Sequence, residues 1–511
     1  MTSEQEPRFY VNPIIWADVP DPDVIRVGEI YYMSSTTMHM NPGIPIMKST
    51  DLLHWEIVNY TYDVLDCQDE QKLVNGKNEY GKGSWASSLR HHKGSFYVAA
   101  GSLSTGKTYL FQTQNIEQGP WKRSVLDEYY HDMSLLFDDD DRVYMVYGTG
   151  DLKVIELTED AAAIKEGGLN KIMIKDASLA ASTKEDVGLP AEGAHIHKRN
   201  GYYYIFTITW PKNGPRTQLV HRAESIDGVY EGRVAVNDPA GIAQGGIIDT
   251  PEGNWHGMLF RDHGPVGRTP CLIPVEWVDG WPVFGDNGRI PARLPVPLEV
   301  KNGTSPIIQS DEFDSGTDVL HLAWQWNHHP LHTNWSLLDR PGYLRLTSGE
   351  ISSNLEQAQN TLTQRTLGPA CSGQIAIETA HMKEGDVAGL AAFQKDYGYA
   401  GVKAAGSSKS IVMVNASSGR EEEIASVPVD QNRVYLKVEF DFQHAAGKAY
   451  FFYSLDEAEW HPIGQPLQLT YKLDHFMGYR FALFHFATAI SGGFVEFDYF
   501  RFESKKPSQR G

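Results

Sequence analysis

Leu189-Pro190-Ala191-Glu192-Gly193-Ala194-His195-Ile196-His197-Lys198-Arg199-Asn200-Gly201-Tyr202-Tyr203-Tyr204-Ile205-Phe206 carries the grammar from which the rest of the chain is read. A carboxylate opens a short strand-like run, an Asn-Gly turn follows, and an aromatic run reads as the returning strand. The same order recurs elsewhere. Asp21-Pro22-Asp23-Val24-Ile25 leads to Tyr31-Tyr32-Met33, and Trp85-Ala86-Ser87-Ser88-Leu89 leads to Phe96-Tyr97-Val98. His131-Asp132-Met133-Ser134-Leu135 leads to Val143-Tyr144-Met145, and Gln244-Gly245-Gly246-Ile247 leads to Trp255-His256-Gly257-Met258. The units recur about every 45–65 residues, a propeller-like period. Equivalent positions of propeller blades converge on one central axis. Three of these five positions carry Asp21, Asp132 and Glu192, so acids far apart in sequence share one pocket. Three hydrated acids at one hub point to acid–base chemistry.

At 511 residues the chain exceeds what one hydrophobic core holds, so at least two domains are expected. The 47 glycines and many short alternating runs favour β structure with tight turns. A net charge of −20 argues against nucleic acid as a partner, because phosphate binding needs a basic stripe. The three cysteines, Cys67, Cys271 and Cys371, are distant and odd in number, which indicates neither a disulfide framework nor a zinc site. The polar, acidic start lacks a basic and apolar leader, and no apolar run is long enough to span a membrane. The natural reading is cytoplasmic, although a secreted protein with its leader removed would look the same.

These patterns predict an all-β chain: a five-bladed β-propeller over 1–297, a linker over 298–306, and a β-sandwich over 307–511. Leu65–Gly83 reads as an exposed insertion between blades, and Asp18 and Asp23 read as turn-capping surface acids. Trp85, at the repeat position, is a candidate wall for a sugar ring. His39, in a polar loop, is a candidate for bonding a substrate hydroxyl, with a local structural partner as the alternative. Arg261–Pro270 is dense in ligands; His263 and Arg268 stand out, the arginine as a fixed donor to sugar hydroxyls.

Taken together, Asn12-Pro13, Asp21-Pro22-Asp23, Trp85-Ala86-Ser87-Ser88, Asp132-Met133-Ser134 and Glu192-Gly193-Ala194-His195 resemble glycoside hydrolase family 43. Asp262–Arg268, Glu276–Pro282, Gln325-Trp326-Asn327-His328 and Arg340–Leu346 resemble its two-domain members, β-xylosidases and α-L-arabinofuranosidases with a lectin-like (concanavalin A-like) sandwich. The resemblance implies Asp21 as general base, Glu192 as general acid, and Asp132 as the carboxylate that orients the acid and raises its pKa. It implies that Arg268 binds substrate and that His263 matches a central histidine that often sits beside a buried water or calcium ion. No cofactor is required, and any calcium would be structural, near the propeller axis. It also implies that a sandwich loop packs over the pocket and contributes an aromatic; Asp474-His475-Phe476-Met477-Gly478 is the candidate, with Phe476 as its ring. One departure is Met38, which stands where such β-xylosidases often carry an aromatic wall. The implied activity is exo-acting, inverting release of terminal α-L-arabinofuranosyl or β-D-xylosyl units from arabinoxylan or xylo-oligosaccharides. Alternatives are a non-catalytic carbohydrate-binding protein and an endo-arabinanase of similar propeller fold.

Overall fold

The computed structural model describes residues 8–298, 307–443 and 447–505. Residues 299–306, most of the expected linker, lie outside the described residues, as do 1–7, 444–446 and 506–511. Five four-stranded antiparallel sheets follow one another from Asp23 to Phe284. Their inner strands are Asp23–Val27, Ser84–His92, Ser134–Phe137, Val187–Arg199 and Ala243–Asp249, which open blades I to V. Each blade is covered on both faces by its neighbours, which is why strands such as Ser95–Ser102 are buried throughout. A separate apolar cluster fills each wedge, for example Ile25, Ile46, Leu89 and Val98 between blades I and II. Asn200 and Gly201 both have positive φ, 50° and 81°. That is the requirement of the two-residue turn joining the quoted strands.

The ring closes without a shared blade. Phe9–Tyr10 pairs with Leu294–Pro295. The Asn12 side chain then imitates a backbone, accepting from Leu272 N–H and donating to Leu272 C=O, each at 2.9 Å. Arg26 of blade I pairs with Asp249 of blade V.

At the hub a guanidinium ties the inner strands together. Arg90 of blade II donates to Asp23 Oδ2 (2.7 Å), Leu135 O (2.7 Å), Ser134 Oγ (2.7 Å) and Ile196 O (3.3 Å). Asp23 also accepts from Leu89 N–H at 2.8 Å and meets His195 Nδ1 at 3.2 Å. Asp23 is therefore not the surface acid its sequence context suggests: it is buried, because the turn before it aims inward. Burial opposes its charge, but Arg90 and His195 hold its carboxyl well below the usual range.

The second domain packs two eight-stranded sheets face to face. Arg433–Asp441 shows the alternation this demands, with every second residue buried. Leu344, Ile375, Leu390, Phe481 and Phe500 belong to the core between the sheets. The edge of one sheet is supplied by the propeller: Met40–Asn41, from a blade I loop, pairs with Trp326–Asn327.

The domains meet closely. Gly478 lies so near blade V that a Cβ would fall 2.0 Å from Val266 O, which explains a glycine there. Next to it, Tyr479 N–H donates to Pro265 O at 2.9 Å. Leu65–Gly83 is not an exposed insertion: its Leu73 and Tyr80 share an apolar cluster with Leu355, Phe393 and Met477 of the sandwich. Asp18 is likewise buried rather than capping a surface turn, because it bridges domains: it accepts from Arg268 N–H (2.7 Å) and Gly478 N–H (3.0 Å). Among the described residues no helix is long and apolar enough to cross a membrane.

Candidate active site

The acids reach the mouth of the hub through an unusual backbone state. Asp21 and Asp132 have φ of 52° and 47°, and Gln244 of blade V has 58°. In blade IV the left-handed residue is Gly193 (66°), immediately after Glu192. Such a residue turns the chain sharply into the inner strand, and Asp tolerates it better than most side chains. Strained positions of this kind cluster at functional sites.

Asp21 is fixed from two sides. Arg268 Nη1 donates to both of its oxygens, at 2.8 and 2.9 Å, and Thr36 Oγ1 donates to Oδ2 at 2.6 Å. Arg268 Nε and Nη2 have no partner although buried, which leaves donors free for a hydroxylated ligand. Phe476, from the sandwich, lies over the same guanidinium at 4.4 Å. Trp85 meets Phe476 at 5.4 Å between ring centroids and the His131 ring at 5.8 Å.

Across from this pair stands a cluster in which His131, Asp132 and Glu192 bring one ligand atom each within 4.8 Å of one another. His131 Nε2 lies 3.0 Å from Glu192 Oε2 and 3.7 Å from Asp132 Oδ2, while Nδ1 meets the Tyr129 hydroxyl at 2.9 Å. Burial alone would lower the imidazole pKa, but the hydrogen bond to Glu192 and the charges of Asp132, Glu192 and Asp21 raise it to about 9. Burial raises Asp132 to about 6; His131 opposes that rise, and Glu192 and Asp21 add to it. By spacing these three side chains could ligate a metal.

Sequence reasoning did not assign His131, Tyr129 or Thr36 to the site. His131 adjoins Asp132 in the turn before Ser134–Phe137, where the left-handed Asp132 lets both side chains reach Glu192, and nothing in the residue pattern shows it. His39 is fully buried in the domain interface, with the Tyr80, His328 and His475 rings 4.6, 5.0 and 5.4 Å away. Met38 is also buried; its main chain pairs with Ser84, and its side chain lines a small cavity between the domains. His263 lies between Trp16 (4.7 Å) and Thr269 Oγ1 (2.6 Å). Among the described residues no group of three metal-ligating side chains includes it. The Arg90–Asp23 level of the axis does not fit calcium either. That ion takes six to eight oxygens, and the carboxylate here is already held by a guanidinium.

Residues 10–282 match the model of glycosyl hydrolases family 43. The chain belongs to glycoside hydrolase family 43. Residues 310–503 match the concanavalin A-like domain found C-terminal in β-xylosidases, so family 43 accounts for both domains, and the chain is a glycosidase. A bifunctional GH43-CE protein of Bacteroides eggerthii is 50% identical, with a TM-score of 0.94 over 98% of this chain. The chain spans 64% of that protein's length. A β-xylosidase of Formosa agariphila is 27% identical, the match covering 99% of this chain and 92% of that protein. A non-reducing end α-L-arabinofuranosidase of Bacteroides ovatus is 26% identical over 75% of this chain and 73% of its own length.

Proposed function

We propose that this family 43 glycosidase releases terminal α-L-arabinofuranosyl or β-D-xylosyl units from xylan-type oligosaccharides, with inversion at the anomeric carbon. The observation that carries the reading is that Asp132 and Glu192 lie together with His131, while Asp21, whose charge reaches Asp132, is held by an arginine that carries the aromatic of the second domain. Two relatives named for β-xylosidase and non-reducing end α-L-arabinofuranosidase activity support both the substrate class and the exo action. In this reading Asp21 takes a proton from the attacking water, positioned by Arg268 and Thr36. Glu192, protonated, gives its proton to the leaving oxygen, and its contact with His131, itself beside Asp132, fixes its direction. Arg268's free donors and the Trp85 and Phe476 rings take the terminal sugar. The chemistry uses side chains and one water and requires no cofactor.

Rates on aryl β-D-xyloside and aryl α-L-arabinofuranoside identify the preferred sugar. Proton NMR of the sugar at first turnover reads the anomer. Inversion is expected, and retention would exclude the water-first mechanism. Hydrolysis of neither aryl glycoside would refute the substrate class.

A further inference from the structure

Behind the catalytic pocket, a second group of charges remains unbalanced. Arg365 and Arg480, both from the sandwich, are buried at 2% and 3% exposure. They line one small cavity together with Asp18, Thr36, Met38 and Phe476, which has room for about one water-sized particle. Arg365 Nε donates to the Asp18 main-chain oxygen at 2.9 Å. Arg480 donates to neutral oxygens, Thr363 Oγ1 (2.8 Å) and Gln325 Oε1 (3.0 Å). Among the described residues neither guanidinium forms an ion pair, and Arg365 Nη1 has no hydrogen-bond partner.

The carboxylate that bears on both arginines is Asp18, whose oxygens already accept from Arg268 N–H and Gly478 N–H. Asp21 is engaged by Arg268. Arg365 and Arg480 thus share the charge of Asp18 with Arg268, and neither has a carboxylate of its own among the described residues. A buried cation without a counter-charge is costly, and its ordinary remedy is a partner of opposite sign. Burial and the charge of Arg365 together pull Arg480 down to about 9, the direction expected of a cation that lacks such a partner.

We propose that this cavity binds one small monovalent anion, a halide, which joins the two domains and backs the wall of the catalytic pocket. A halide supplies the missing charge, needs no proton of its own, and accepts from Arg365 Nη1. The cavity's small size excludes sulfate and carboxylates. Thr36 and Phe476 line the cavity and also touch Asp21 and Arg268, so occupancy bears on the base and on its guanidinium.

The test uses the full chain in sodium gluconate at fixed ionic strength, with gluconate replaced stepwise by chloride or bromide. The melting temperature should climb with the logarithm of halide concentration, as binding to the folded state requires. Arg480→Gln, which removes the excess charge, should abolish that dependence. Should that variant fail to fold, wild-type crystals grown in bromide decide: an anomalous peak is expected in the cavity beside Arg365 Nη1. Equal melting temperatures in all salts would overturn the proposal, even if a peak then appeared at crystal bromide concentrations only. A halide-dependent rise with no peak in the cavity would place the effect elsewhere and overturn it too.

Discussion

The contact of His131 Nε2 with Glu192 Oε2, 3.0 Å, is the most specific thing the residues of this site say. If the proton is delivered by Glu192, removing that group or the base should cost about 10²–10⁴-fold or more in turnover. Glu192→Gln should show that loss with an unchanged unfolding midpoint, and Asp21→Asn should show it in a chain that folds but is less stable, because the buried Arg268 loses its partner; a folded variant retaining substantial activity would refute its role. His131 makes a sharper claim. Its pKa is raised to about 9, so the alkaline limb of kcat/KM should lie near that value if the imidazolium supports the acid. His131→Asn should move the limb to lower pH, whereas a merely structural histidine would lower the rate without shifting the profile. Asp21, Asp132 and Glu192 were legible because each occupies the same place in a repeated phrase. His131 stood beside one of them unread, since the positive φ that turns it inward leaves no trace in composition.

Among elements, four of the five inner strands are held at one point by Arg90, which reaches blades I, III and IV from blade II. Removing one partner of a buried pair leaves the other charge uncompensated, at a cost of about 3–5 kcal/mol. Asp23→Asn should therefore destabilise the whole chain by that order in denaturant unfolding. The pH dependence has a definite sign. The folded carboxyl is held below its unfolded value, so its stabilisation is present above about pH 4 and is lost as the pH falls. The gap between wild type and Asp23→Asn should narrow on acidification; a gap independent of pH would show that the charge is not responsible. The blades were readable from alternation and turn residues. The hub was not, because Asp23 follows Pro20, Asp21 and Pro22, a run that signals a solvated turn wherever it occurs.

Across the whole molecule, catalytic acids come from one domain and the aromatic over Arg268 comes from the other. The propeller alone would lose Phe476, expose the His39–Tyr80 cluster and leave Met40–Asn41 unpaired. A fragment ending at Pro297 should be unstable or inactive toward aryl glycosides. Cleavage at the rate of the full chain would show that the sandwich is a separate module. Both architectures were legible from strand spacing, yet their docking was not. The interface is made of short pieces, such as Met40–Asn41 and Gly478, whose partners lie hundreds of residues away, and local periodicity carries no information about them.

The loan of Met40–Asn41 to the sandwich also imposes an order on synthesis. Its partner, Trp326–Asn327, leaves the ribosome about 285 residues later, roughly 15–60 s at about 5–20 residues per second. During that interval the blades of the nascent propeller can pair, while one loop must wait with open backbone groups and the Tyr80 side chain uncovered. Nascent chains stalled before residue 326 should therefore bind chaperones or be cut by protease near Met40, and chains stalled after the sandwich is complete should not.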